Sequence, residues 1–157
     1  PETPLNVVVT RSGEVDLGRP VFSLGWVPAL IFAALEGSRR FQKWGLPGSV
    51  RVAALEGEGS LSARSILDAV CGVRPAELIL VEGGPHLMGD FLAEGCLDEL
   101  FLTVAPQVAG RADPSDRPGL VAGKSFAPEH PLWGTLAGVK RGESHLFLRY
   151  SFRPPGD

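Results

Sequence analysis

Apolar residues along this chain fall into short blocks separated by turn residues, and the blocks alternate in kind. Asn6–Thr10 (NVVVT) is continuous and β-branched, which predicts a buried strand. Arg11-Ser12-Gly13 then supplies turn chemistry. Val21–Ser23 reads as a short strand or a 3₁₀ turn, and Val27–Ala34 (VPALIFAA) as a second buried strand. Pro28 sits near the start of that strand, where a missing N–H is tolerated. Glu36–Trp44 predicts a surface helix stopped by Gly45 and Pro47. Val50–Leu55 predicts a third strand. Ser60–Cys71 predicts a helix with Leu61, Ile66, Leu67 and Val70 on one face, ended by Gly72. Leu78–Val81 reads as a fourth strand, Pro85–Gly95 as a helix with Leu87, Met88, Phe91 and Leu92 on one side, and Leu100–Ala105 as a fifth strand.

The character then changes. Residues 106–131 are rich in Pro, Gly, Asp and Arg and read as a long loop. Thr135–Arg141 and Leu146–Phe152 predict two strands around Gly142-Glu143-Ser144, a hairpin signal. Alternating strands and helices predict an α/β fold. Its largely parallel sheet is covered by helices on both faces and extended by a C-terminal antiparallel hairpin, all within a single domain of residues 1–157.

Composition narrows the function classes. A net charge of −3 with no basic run argues against nucleic acid as a partner. No apolar stretch reaches the roughly 20 residues of a membrane span, and no signal-peptide pattern opens the chain, so a cytoplasmic location is expected. Cys71 and Cys96 have no metal-ligand spacing and lie near helix ends among apolar residues, so both are expected to be buried free thiols in a reducing compartment.

The candidate chemistry lies at residues 79–90 (ILVEGGPHLMGD), where an apolar run meets Glu82-Gly83-Gly84-Pro85 before an amphipathic helix. A strand, a glycine turn and a helix start together make an anion site. The first helical turn leaves N–H groups without partners, and the helix dipole favours negative charge there. Glycines admit a phosphate-bearing ligand close to the backbone, and Pro85 suits the first helical position. Glu82 falls at the carboxyl end of the predicted strand, where open α/β sheets bind ligands, and its carboxylate can accept from ring N–H or ribose hydroxyl groups. The stretch is neither the GxGxxG fingerprint nor a P-loop.

Residues 78–111 (LILVEGGPHLMGDFLAEGCLDELFLTVAPQVAGR) resemble the signature of the pyrimidine reductases of riboflavin biosynthesis. These form the reductase domain of the bifunctional deaminase-reductase and share the dihydrofolate reductase fold. The segments 6–22 and 145–152 are similar to further stretches of that family. The resemblance implies NADPH-dependent reduction of the ribosyl group of a 5-amino-6-ribosylaminopyrimidinedione 5′-phosphate, in a homodimer. It implies that Glu82 contacts the pyrimidine nucleotide substrate. It also implies that Gly84, Pro85, His86, Leu87 and Met88 hold the cofactor pyrophosphate, with Gly83 shaping the turn, and that Thr10, Arg11 and Ser12 approach the adenosine 2′-phosphate. The family more often has Asp-Ser at 10–11 and a basic residue near 14, where this chain has Thr10, Arg11 and Glu14. The family also carries an opening segment ahead of the equivalent of Asn6, so the chain is expected to be incomplete at its N-terminus and to leave a strand edge for another segment to cover.

No residue is assigned as the catalytic acid; Glu82 is expected to orient substrate rather than deliver a proton. His130 and His145 are isolated and read as surface or strand residues, and no metal site is expected. Asp98-Glu99 reads as a structural connection. Trp26, Trp44 and Trp133 read as core or rim packing. Asp113, Asp116 and Arg117 are expected to pair with each other or with water. Two other functions fit the same residues: a same-fold reductase for a pterin or folate-like ring, and a non-catalytic nucleotide-binding or dimerisation module.

Overall fold

The structure, a computed structural model, describes residues 3–55, 62–108, 110 and 119–153. The chain divides into two compact units, Pro1–Ile79 and Leu80–Asp157.

The first unit is built on a parallel sheet of β1 (Asn6–Thr10), β2 (Ala29–Ala34) and β3 (Val50–Leu55), in that order. β2 is central: Asn6 pairs with Ala29 on one side, and Ala29 with Val50 on the other. Its residues Ala29 to Ala33 are between 0% and 2% exposed, as expected of an apolar run flanked by two strands and covered on both faces. Ala29, Ile31 and Ala33 join Phe22, Phe41 and Val50 in one core cluster. Leu30 and Phe32 point to the opposite face and are equally buried.

Phe22 comes from α1 (Pro20–Ser23), a single helical turn begun by Pro20 where a short strand or 3₁₀ turn was the expectation. Phe41 closes α2 (Leu35–Phe41), which follows β2 with no connecting loop. β2 begins at Ala29 rather than Val27 because Pro28 lacks a donor. Its carbonyl still joins the ladder, accepting from the Asn6 N–H at 3.0 Å.

α3 (Ala63–Val73) starts on Ser62, whose side chain accepts from the Ser65 N–H at 3.1 Å. The predicted start at Ser60 and Leu61 lies outside the described residues. Gly72 does not end this helix. It runs on to Val73, and Pro75 follows. Ala63, Ile66 and Val70 form its buried face. Cys71 is turned about 100° from Val70 and is exposed, contrary to the buried thiol expected; Cys96 is half-buried and both are free.

Leu78–Val81 is not a strand. A strand needs a neighbour for its ladder, and among the described residues none pairs with these four. Leu78 and Leu80 are 87% and 74% exposed. The apolar run was legible, but periodicity carries no information about a partner.

The second unit holds α4 (Pro85–Ala93) and an antiparallel sheet of β4 (Glu99–Val104), β6 (His145–Ser151) and β5 (Thr135–Gly142), in that order. The hairpin turns at Glu143-Ser144, with Glu143 in the left-handed region at φ 51°. Leu102 faces Leu148, which faces Val139. Asp98-Glu99 is structural, as expected: Asp98 pairs with Arg153 at 2.9 Å and Glu99 with Arg149 at 2.8 Å, tying the start of β4 to the end of β6. Among the described residues no helix is long and apolar enough to cross a membrane.

Candidate cofactor-binding site

α4 begins as its sequence predicts. Gly84 is the N-cap, extended at φ −70° and ψ 173°, and Pro85 occupies the first helical position. No side chain caps the helix and no acid lies in its first turn. The Met88 N–H is bonded to the Gly84 carbonyl at 3.0 Å. The N–H groups of His86 and Leu87 precede that first helical bond, so they are the donors this turn can offer an anion.

Gly83 lies against Leu87: a Cβ there would meet the tip of the Leu87 side chain, which would have to shift. Gly84 has open space where a Cβ would be, so a ligand can approach its backbone. Glu82 and His86 are both exposed, and Met88 is buried as part of the helix's inner face with Gly89 and Phe91. Glu82, Gly83, Gly84 and His86 are thus exposed, Pro85 and Leu87 are half-buried, and Met88 anchors the helix.

Thr10, Arg11 and Ser12 belong to the first unit, where Thr10 ends β1 and Arg11 and Ser12 begin the turn after it. The Thr10 hydroxyl accepts from the Gly13 N–H at 3.1 Å, and the Ser12 hydroxyl accepts from the Glu14 N–H at 3.1 Å. Both oxygens are thus used as acceptors that fix the turn, and each O–H is left as a donor for a phosphate. Arg11 is exposed beside them.

Sequence reasoning missed the surroundings of this turn. A pocket of about 880 Å³ is lined by Gly13–Asp16 and by Arg39–Trp44, from the last residues of α2 and the turn that follows it. Arg40 bonds Glu14 at 3.1 Å, linking its two walls. Arg39, Arg40 and Lys43 fall within the surface helix predicted over Glu36–Trp44. Arg39 and Arg40 lie in the last turn of α2 and Lys43 just after it, so the available signal was a basic cluster at the end of a predicted helix.

The remaining candidates do not converge. Trp26, Trp44 and Trp133 are 68%, 58% and 85% exposed, so of the core or rim packing expected none is core, and only Trp44 lines the pocket. His145 stacks near Phe147, with ring centroids 6.4 Å apart. No group of His, Cys, Asp and Glu among the described residues could hold a metal. Asp113, Asp116 and Arg117 lie outside the described residues.

The RibD C-terminal domain family model matches residues 1–126, including the β1 turn and the whole of α4. The chain belongs to the RibD C-terminal domain family. This pyrimidine reductase family is a family of oxidoreductases. No curated protein matches the chain. Solved structures carry the likeness beyond residue 126. A pyrimidine reductase-like protein from Corynebacterium diphtheriae is 22% identical, with a TM-score of 0.67, over 94% of this chain and 60% of its own. Acinetobacter baumannii RibD is 18% identical, with a TM-score of 0.70, over 92% of this chain and 36% of its own. The diaminohydroxyphosphoribosylaminopyrimidine deaminase/5-amino-6-(5-phosphoribosylamino)uracil reductase of Thermotoga maritima is 21% identical, with a TM-score of 0.62, over 94% of this chain and 37% of its own. At these identities the likeness establishes the fold, that of RibD reductase domains with their dihydrofolate reductase-like sheet. The chain spans less than two thirds of each of these relatives.

Proposed function

We propose that this chain carries the reductase function of riboflavin biosynthesis, using NADPH to reduce the ribosyl group of a 5-amino-6-ribosylaminopyrimidinedione 5′-phosphate. The observation that carries the reading is the uncapped first turn of α4, next to an exposed Glu82, in a chain of the RibD C-terminal domain family.

When bound, the reduced nicotinamide would supply a hydride to C1′ of the sugar, the C1′–O4′ bond would break, and O4′ would take a proton from solvent, leaving a ribityl chain. The protein's own residues bind and orient. His86 and Leu87 direct N–H groups at the pyrophosphate from the positive end of α4. Gly84 lets the phosphate approach, and Gly83 gives Leu87 the room to brace the turn. Glu82 accepts hydrogen bonds from the substrate and holds it in register. Thr10, Arg11 and Ser12 are proposed separately as a 2′-phosphate grip. Two hydroxyl donors and a guanidinium suit a dianion, and they would favour NADPH over NADH.

We also propose self-association through the second unit's sheet. Val104, Leu136, Val139 and Leu146 share one face of that sheet and are 41% to 54% exposed, an apolar surface suited to a second copy.

The test is turnover. The chain and its full gene product are each incubated with NADPH and the aminopyrimidine ribosyl phosphate. Loss of reduced nicotinamide and appearance of the ribityl product by mass are followed together. Product formation with one NADPH consumed per ribityl group supports the reading. NADPH binding with turnover of a pterin or folate-like ring instead would move the substrate assignment, and no binding by either protein would leave a module without this chemistry.

A further inference from the structure

We propose that Val121–Lys124 is a strap that fixes the first turns of α4, with Gly89, Gly123 and Lys124 as positioning residues. The proposal deepens the reading of α4 as the pyrophosphate site and rests on it for its functional consequence. α4 has nine residues and no side-chain N-cap. Such a short helix frays readily at its start. A capping side chain would steady it, but it would occupy the N–H groups that an anion needs. The first turns must therefore be held from another side.

The strap supplies that hold at four points. The Ala122 N–H donates to the Pro85 carbonyl at 3.0 Å. Gly123, at φ +75°, lies against the His86 imidazole, and a Cβ on it would stand 2.9 Å from His86 Nδ1. Gly89 faces the strap so closely that a Cβ would stand 3.0 Å from the Ala122 carbonyl oxygen and 3.1 Å from Val121 Cγ1. The Lys124 ammonium reaches Asp90 Oδ1 at 3.2 Å. The contacts fall on Pro85, His86, Gly89 and Asp90, along one side of the helix, and none takes an N–H of the first turn.

Gly89 makes the inference testable, because two accounts of it predict opposite signs. If α4 simply needs to be helical, Gly89→Ala raises its propensity and steadies it. If the strap holds α4, the added methyl pushes the Ala122 carbonyl away and loosens the start of the helix. The experiment measures amide hydrogen exchange at Met88, whose N–H is bonded to Gly84, together with NADPH affinity, in the intact chain. With Gly89→Ala, Met88 exchange is expected to speed up about tenfold, the scale of a modest overpacking penalty. With Lys124→Met it is expected to speed up about threefold, the scale of a half-exposed ion pair, and Lys124→Arg is expected to restore it. Amides of β6 should not change. NADPH affinity should fall in parallel, with the apparent KM rising while kcat holds. Unchanged or slower Met88 exchange in Gly89→Ala would overturn the strap. If exchange behaves as expected but the wild-type chain does not bind NADPH, the strap stands and the cofactor reading fails.

Discussion

Gly13 and Gly37 meet backbone to backbone, at the point where the turn after β1 crosses the start of α2. A Cβ on Gly37 would stand 2.5 Å from the Arg11 carbonyl oxygen and 2.8 Å from the Gly13 nitrogen. Gly13 itself is buried and holds φ at +73°. Gly37→Ala should therefore cost about 1–3 kcal/mol by overpacking. It should also displace Thr10–Ser12, so any preference for NADPH over NADH should shrink. Urea unfolding reads the first effect, and paired titrations with the two cofactors read the second.

Glu82 tests substrate orientation apart from stability. It is exposed, so Glu82→Gln should change unfolding free energy by less than about 0.5 kcal/mol. It keeps the shape and one acceptor oxygen but loses the charge. The expected result is a raised KM for the pyrimidine substrate with unchanged NADPH affinity, measured by steady-state kinetics and cofactor titration.

Phe32 lies at the centre of β2 and is 1% exposed. Phe32→Ala removes its ring from a closed environment and should cost about 3–5 kcal/mol. Thermal unfolding and expression level check this. Phe101, an aromatic at 69% exposure on β4, should tolerate alanine far better.

The Asp98–Arg153 contact gives a pH signature. The hydrogen bond from Arg153 holds the Asp98 carboxyl below its usual value; burial opposes it, and the guanidinium charge adds to it. A carboxyl with a depressed folded pKa adds stability above its unfolded pKa, and this is lost as pH falls through the folded value. The pair is exposed, so the contribution is on the order of 0.5 kcal/mol. Wild type and Asp98→Asn should differ by that amount near neutrality and converge in acid, as read from urea midpoints across pH.

Much of this architecture was legible in the sequence where a local rule was sufficient. Asn6–Thr10 and Val50–Leu55 are strands to the residue because each short, largely apolar run is bounded by turn residues. Pro85 marks the start of α4 because proline at the first helical position costs no hydrogen bond. Other features depended on tertiary context. Leu78–Val81 had the composition of a strand, but a strand exists only with a partner. Cys71 and the three tryptophans were placed by residue-type tendency, which does not say which side of an element faces the core. At the candidate site the Glu82–Met88 turn was visible as a contiguous stretch. The pocket beside Gly13 and the strap at 121–124 were not, because each joins residues distant along the chain.

The most direct measurement is an NMR titration of the chain with NADPH, followed at the backbone amides of His86 and Leu87. The account predicts saturable shifts at both amides. Saturation elsewhere on the chain with His86 and Leu87 unmoved would contradict the central claim that the first turn of α4 holds the cofactor's pyrophosphate.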